Sequence, residues 1–164
     1  MRIVRVTTPE QFAVALAVRT EVFVFEQRVA PEAEQDSWDD DPSTIHVLAL
    51  VDDPTDEVDP TRDETLGTGR LLAPHGDGRP HIGRVAVVAR ARGKGVGRAI
   101  MAALEEAALE AHGDDGSVVV ALAAQVQAIP FYESIGYAIH GERFLDEGIW
   151  HREATKHVGA APGA

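Results

Sequence analysis

The stretch Arg90-Ala91-Arg92-Gly93-Lys94-Gly95-Val96-Gly97-Arg98 separates two segments of different period. Ahead of it, residues 81–88 end in the apolar run Val85-Ala86-Val87-Val88 and read as a buried strand. Behind it, Val96, Ile100, Ala103, Leu104, Ala107 and Ala111 recur at spacings of three and four, the pattern of an amphipathic helix over 96–111. The first amides of a helix have no intrahelical partners and lie at the positive end of its dipole. Glycines leading into that end let phosphate oxygens approach closely, and flanking Arg and Lys add charge-assisted hydrogen bonds.

The charge distribution agrees with such a site. The 164 residues carry a net charge of -12, yet residues 79–98 hold Arg79, Arg84, Arg90, Arg92, Lys94 and Arg98 and no acid. This stretch is either a solvated face or an electropositive pocket for a polyanion. Net acidity argues against nucleic acid and anionic membranes as partners. The spacing also discriminates among phosphate loops. A nucleoside triphosphate loop needs Ser or Thr after Gly-Lys, where Gly95 stands, and a dinucleotide loop needs a third glycine where Arg98 stands.

Working outward, residues 2–7 read as a strand, and Thr8-Pro9-Glu10 supplies an N-cap, a first-turn proline and an acid for a helix. That helix buries Phe12, Ala15, Leu16, Val22, Phe23 and Phe25 and ends before Pro31. Residues 30–42 read as an acidic loop, 45–51 as a strand, 52–65 as a solvated loop, and 66–73 as a strand followed by a Gly/Pro-rich turn. Residues 117–124 are apolar throughout, as in a strand covered on both faces. A short helix over 128–134 and strands over 137–144 and 149–156 complete the pattern. We expect one α/β domain over 1–157, with residues 158–164 as a disordered tail.

The pattern Arg92-x-x-Gly95-x-Gly97 resembles the acyl-CoA pyrophosphate signature of the GNAT superfamily. Gln125-Val-Gln-Ala128-Ile-Pro-Phe131-Tyr132-Glu133-Ser-Ile-Gly136-Tyr137 is similar to the superfamily's Asn-x-x-Ala-x-x-Phe-Tyr-x-x-x-Gly-Phe segment. Arg19-x-x-Val22-Phe23-Val24-x-Glu26-Gln27, Glu34-x-Asp36-x-x-Asp39, His46 and Gly141-Glu142-x-Phe144-x-x-Glu147-Gly148-Ile149-x-His151 resemble its small bacterial ElaA/YjcF-like branch. Trp150 stands where proline is common there and Ala154 where methionine is. The resemblance covers residues 1–157. It implies a mixed, mostly antiparallel sheet of six to seven strands with a parallel pair at the cofactor site, flanked by helices.

It further implies an N-acetyltransferase that binds acetyl-CoA through Arg92, Gly93, Lys94, Gly95, Val96, Gly97 and Arg98, through the backbone of Val85, Ala86 and Val87, and through Gln125, which stands where many members have Asn. Tyr132 becomes the general acid near the sulfur. The acceptor, a primary amine of a small molecule or peptide, is expected to be cationic and to bind beside Glu26, with Glu34, Asp36 and Asp39 nearby and His81 or His151 taking the proton. Equally open is a Glu26 paired with an Arg, with loop acids that only solubilise. An acyl-CoA sensor with little transferase activity is the alternative function.

No cysteine is present to carry an acyl group. Ser134 lacks the nucleophile elbow. His75 and His81 lack the spacing of a metal-binding helix, so no metal is expected. The first residues do not read as a signal peptide and no run of about 18 apolar residues occurs. The expectation is a cytoplasmic monomer or homodimer.

Overall fold

In the computed structural model, which describes residues 1–52 and 64–160, β1 (Arg2–Arg5) stops short of the expected strand end because Thr7 and Thr8 are drawn into the cap of the next helix. The Thr7 amide donates to Gln11 Oε1 at 2.6 Å, and Thr8 and Gln11 close a reciprocal capping box. Helix α1 (Pro9–Arg19) then widens into a π-helical turn, Thr20–Glu26, instead of continuing as α-helix. The extra residue in that turn rotates the following side chains about the axis. Val18 and Val22 stay buried, whereas Phe25, expected inside, is 71% exposed.

The acidic segment is more ordered than a loop. It forms α2 (Pro31–Glu34) and a 3-10 turn, Ser37–Asp40, in which Asp36 caps the Trp38 amide at 3.1 Å and Asp39 reaches back to the Asp36 amide at 3.2 Å. Strands β2 (Ile45–Leu50), β3 (Thr65–His75) and β4 (Arg79–Val87) follow. Helix α3 (Val96–His112) ends at Gly113, and β5 (Ser117–Gln125), α4 (Ile129–Ser134), β6 (Ala138–Asp146) and β7 (Ile149–Gly159) complete the described chain. The loop expected over 52–65 falls largely on residues 53–63, outside the described residues. The expected disordered tail begins too early, because Val158 pairs with Val118 and Gly159 with Ser117; residues 161–164 lie outside the described residues.

The seven strands form one sheet in the order β1-β2-β3-β4-β5-β7-β6. Every neighbouring pair is antiparallel except β4–β5. Helices cover both faces. On one, α3 inserts Ile100, Met101 and Leu104, each no more than 1% exposed, and burial of each contributes roughly 1.5–3 kcal/mol. Gly69 permits this closeness, since a Cβ there would stand 2.8 Å from both Ile100 and Leu104. On the other face, Ala15 of α1 packs on Leu48 and Leu50.

Candidate functional site

Strands β4 and β5 touch at the His81–Ala121 register and then part. Backbone groups of Gly83–Val87 that face β5 beyond this point have no strand partner. The opening is a cleft of about 1040 Å³, walled by the π-helical turn, β4, the start of α3, the end of β5, α4 and the β6–β7 turn. A bulge shapes its β4 wall. Thr68 pairs with Ala86 and Arg70 with Gly83, so Arg84 and Val85 stand opposite Gly69 alone. Arg84 takes φ 50°, a left-handed conformation that is uncommon for a side chain other than Gly, Asn or Asp.

At one end of the cleft lies the start of α3. Gly95 is its N-cap with φ 82°, and a Cβ there would project into open space. Ala99 makes the first helical bond, to Gly95, so the amides of Val96, Gly97 and Arg98 have no intrahelical partner. The expectation of an anion cradle falls on these amides, and a Cβ at Gly95 would meet nothing within 4 Å. The basic cluster is divided, however. Arg98 lines the cleft without an ion pair among the described residues. Arg92 donates to Val87 O at 3.0 Å and, through Nη2, to both Glu26 oxygens at 2.9 Å. Arg90 is held by Glu64 at 3.0 Å, and Lys94 lines a separate hollow beside it.

The acids expected to wait for a cation are already matched. Arg19, 1% exposed, donates to Glu34 Oε1 at 2.5 Å and to both Asp39 oxygens at 2.9 and 3.0 Å. Arg70 grips Asp36 at 2.7 and 2.8 Å, and Arg84 reaches Asp36 at 3.3 Å and the Glu34 carbonyl at 3.1 Å. Burial by itself would raise the Asp39 carboxyl, but its hydrogen bonds and attraction to Arg19 outweigh this and hold it at about 2. His46 sits beside the network, its buried Nε2 unpaired and 3.8 Å from Asp39. Burial lowers its pKa to about 4, against the pull of Asp39. The pairing of Glu26 with an Arg, one of the two readings open from sequence, is found in Arg92, whereas the loop acids fit neither reading, since they neither solubilise nor stand open.

Tyr132 lines the cleft on α4, edge-on to Phe131 and Tyr137. Its hydroxyl makes no hydrogen bond to a described residue, and burial raises its pKa to about 12. Tyr137 is the satisfied core tyrosine, donating to Glu105 at 3.1 Å. Gln125 lines the cleft paired amide to amide with Gln27, at 2.9 and 3.2 Å. The two histidines separate. His81 lies outside the cleft, 2.9 Å from Asp77, its ring tilted against that of His75 at 4.6 Å. His151 lines it, 8% exposed, with Nδ1 donating to the Ile149 carbonyl at 2.7 Å. That bond assigns the ring proton to Nδ1 and leaves the Nε2 lone pair without a hydrogen-bond partner among the described residues. Gln27 was given no role by sequence, sitting in a pattern without chemistry of its own, and Arg84 was read only as one charge of the basic stretch, since no residue type announces the bulge there.

The sequence profile of the acetyltransferase (GNAT) domain matches residues 17–157. The chain belongs to the GNAT acetyltransferase family. Among its relatives is the uncharacterized N-acetyltransferase YjcF of Bacillus subtilis, 36% identical over 157 residues, which span 95% of this chain and 99% of that protein. A solved acyl-CoA N-acyltransferase of Pseudomonas aeruginosa superposes with a TM-score of 0.77 at 29% identity, covering 94% of this chain and 98% of that one. ElaA of Escherichia coli shares the fold, with a TM-score of 0.77 at 24% identity, over 95% and 99% of the two chains. The ElaA/YjcF-like resemblance and the GNAT fold read from sequence therefore hold. The divided strand pair, the glycine-led helix and the α4 tyrosine are this GNAT chain's own version of that fold. Among the described residues no group of three or more His, Asp or Glu side chains is placed to hold a metal ion, and no helix is long and apolar enough to cross a membrane.

Proposed function

We propose that this protein transfers the acetyl group of acetyl-CoA to a primary amine of a small molecule or peptide, by direct attack in a ternary complex. The observation that carries this reading is the continuity of the cleft. It runs from the unpaired amides of Val96, Gly97 and Arg98, past the partnerless edge of β4, to the free hydroxyl of Tyr132. A pyrophosphate suits the first, the amides of an extended arm suit the second, and a thioester sulfur suits the third.

In the step itself the amine nitrogen attacks the thioester carbonyl, the new C–N bond forms, and the C–S bond breaks with its electron pair left on sulfur. The backbone at Val85, Ala86 and Val87 holds the carbonyl. The nitrogen's proton passes to Nε2 of His151, and Tyr132 gives its proton to sulfur. A phenol held at about 12 remains protonated at working pH and is always available as a donor. A free thiol has a pKa of about 8.5, but the burial that raises the phenol also raises the thiol, which narrows the gap between them.

Coenzyme A release measured with a panel of amines, beside calorimetry with acetyl-CoA, tests the proposal. Tyr132→Phe is expected to lower kcat by about 10²-fold with coenzyme affinity kept. Tight acetyl-CoA binding with no turnover of any amine would favour the sensor reading instead.

A further inference from the structure

Resting on the coenzyme end of the transferase reading, we infer that Glu26 and Gln27 are positioning residues for coenzyme A, holding Arg92 for its phosphates and Gln125 for its pantetheine arm. The two are neighbours at the end of the π-helical turn, and their partners stand 66 and 98 positions further along the chain. The turn is what brings both into the cleft. The Gln27 amide closes it on the Val22 carbonyl, five residues back. Side chains that share a face in such a turn are four and five residues apart, against three and four in an α-helix. Val22, Phe23, Glu26 and Gln27 accordingly line the cleft, and Phe25, which an α-helix would set beside Val22, is 71% exposed.

Each bond fixes what its partner can offer a ligand. Arg92 donates from Nε to the Val87 carbonyl and from Nη2 to both Glu26 oxygens, which ties the lead-in of α3 to the end of β4 and to the π-helical turn. Its Nη1 has no partner among the described residues and keeps its hydrogens for a phosphate oxygen. Gln125 Oε1 accepts from Gln27 and Gln127, at 3.2 and 2.6 Å, and Gln125 Nε2 donates to Gln27 at 2.9 Å. Both acceptor lone pairs of that amide are then used and one N–H is left. Gln125 can therefore donate to a carbonyl of the arm and cannot accept from the arm's own N–H groups.

These contacts serve binding more than folding. The side chains of Arg92 and Glu26 are 47% and 36% exposed, and an ion pair that open to water contributes little to stability. Neither Glu26 nor Gln27 shares a partner with the buried network of Arg19, Arg70 and Arg84. Two roles for Glu26 differ in sign. A carboxylate that only competes with phosphate for Arg92 weakens coenzyme binding, whereas one that aims Arg92 strengthens it.

Calorimetry with two ligands separates the roles: coenzyme A, and 3′-phospho-ADP, its nucleotide half, which keeps the pyrophosphate and lacks the arm. Glu26→Ala is expected to lower affinity for both by about 10-fold, the scale of one charge-assisted hydrogen bond. Gln27→Ala should lower coenzyme A affinity by about 5-fold and leave the nucleotide half as in wild type, a split that general damage to the fold does not produce. Urea midpoints of both variants are expected to stay near that of wild type. Equal or tighter binding by Glu26→Ala, a Gln27→Ala variant that weakens both ligands alike or neither, or a large fall in either midpoint overturns the inference. Wild type that binds neither ligand is a separate result, which removes the coenzyme reading itself and this inference with it.

Discussion

The wall assigned to the coenzyme is main chain and glycine from residues 82–98, neighbours in sequence; the opposite wall is a set of charged side chains that meet across 15 to 50 positions of chain. The first depends on backbone amides left unpaired by a helix start and by parted strands. The second depends on arginines buried against carboxylates. A site made of local backbone tolerates change elsewhere, whereas a buried ionic network fails as a unit when one member is lost.

Variants that damage one wall and spare the other test this contrast. Arg19→Ala leaves Glu34 and Asp39 buried without their main partner, and it should cost about 3–5 kcal/mol of stability. Urea unfolding would measure that loss, and calorimetry on the folded protein should find coenzyme affinity unchanged. Gly95→Asp should do the reverse. It forces a side chain to φ 82° and aims a carboxylate at the phosphate position, so acetyl-CoA affinity should fall by about 10²-fold or more, the effect of several lost or opposed charge-assisted bonds. Its stability cost should be only about 1 kcal/mol. If Arg19→Ala removes coenzyme binding from folded protein, or Gly95→Asp unfolds it, the walls are not independent.

The smallest effect concerns pH. His46 is held neutral, at about 4 when folded against 6.5 for a free imidazole. Between those values the unfolded chain takes up a proton that the folded chain refuses, so stability falls as pH drops from about 6.5 to about 4. Asp39, at about 2 against 3.8, extends the loss from about pH 4 downward. His46→Gln should flatten only the upper part of the curve, by on the order of 2 kcal/mol. An unchanged urea midpoint profile across that range would mean that the imidazole is protonated in the folded protein.

The legible parts share one physical property. Thr8-Pro9-Glu10 caps α1 because capping is decided within four residues. The apolar run over 117–124 became the strand between β4 and β7 because burial on both faces excludes polar residues. Phe25 misled because a π-helical turn has no compositional mark, and the segment over 30–42 misled because acids matched to distant arginines look like acids facing water. Tyr132 and His151 were named from patterns, but the distinction between His81 and His151, both plain histidines in strands, required the direction of each side chain.

By itself the sequence determined the order of elements, the helix start that can cradle an anion, and the family, since each is written in residue types at fixed local spacing. Only the tertiary structure decided which charges remain free. Arg92 was expected for phosphate and is held by Glu26, while Arg98 of the same stretch lines the cleft without an ion pair among the described residues. The physical reason is that a charge's role depends on its nearest opposite charge, and those neighbours are brought together by folding from distant parts of the chain.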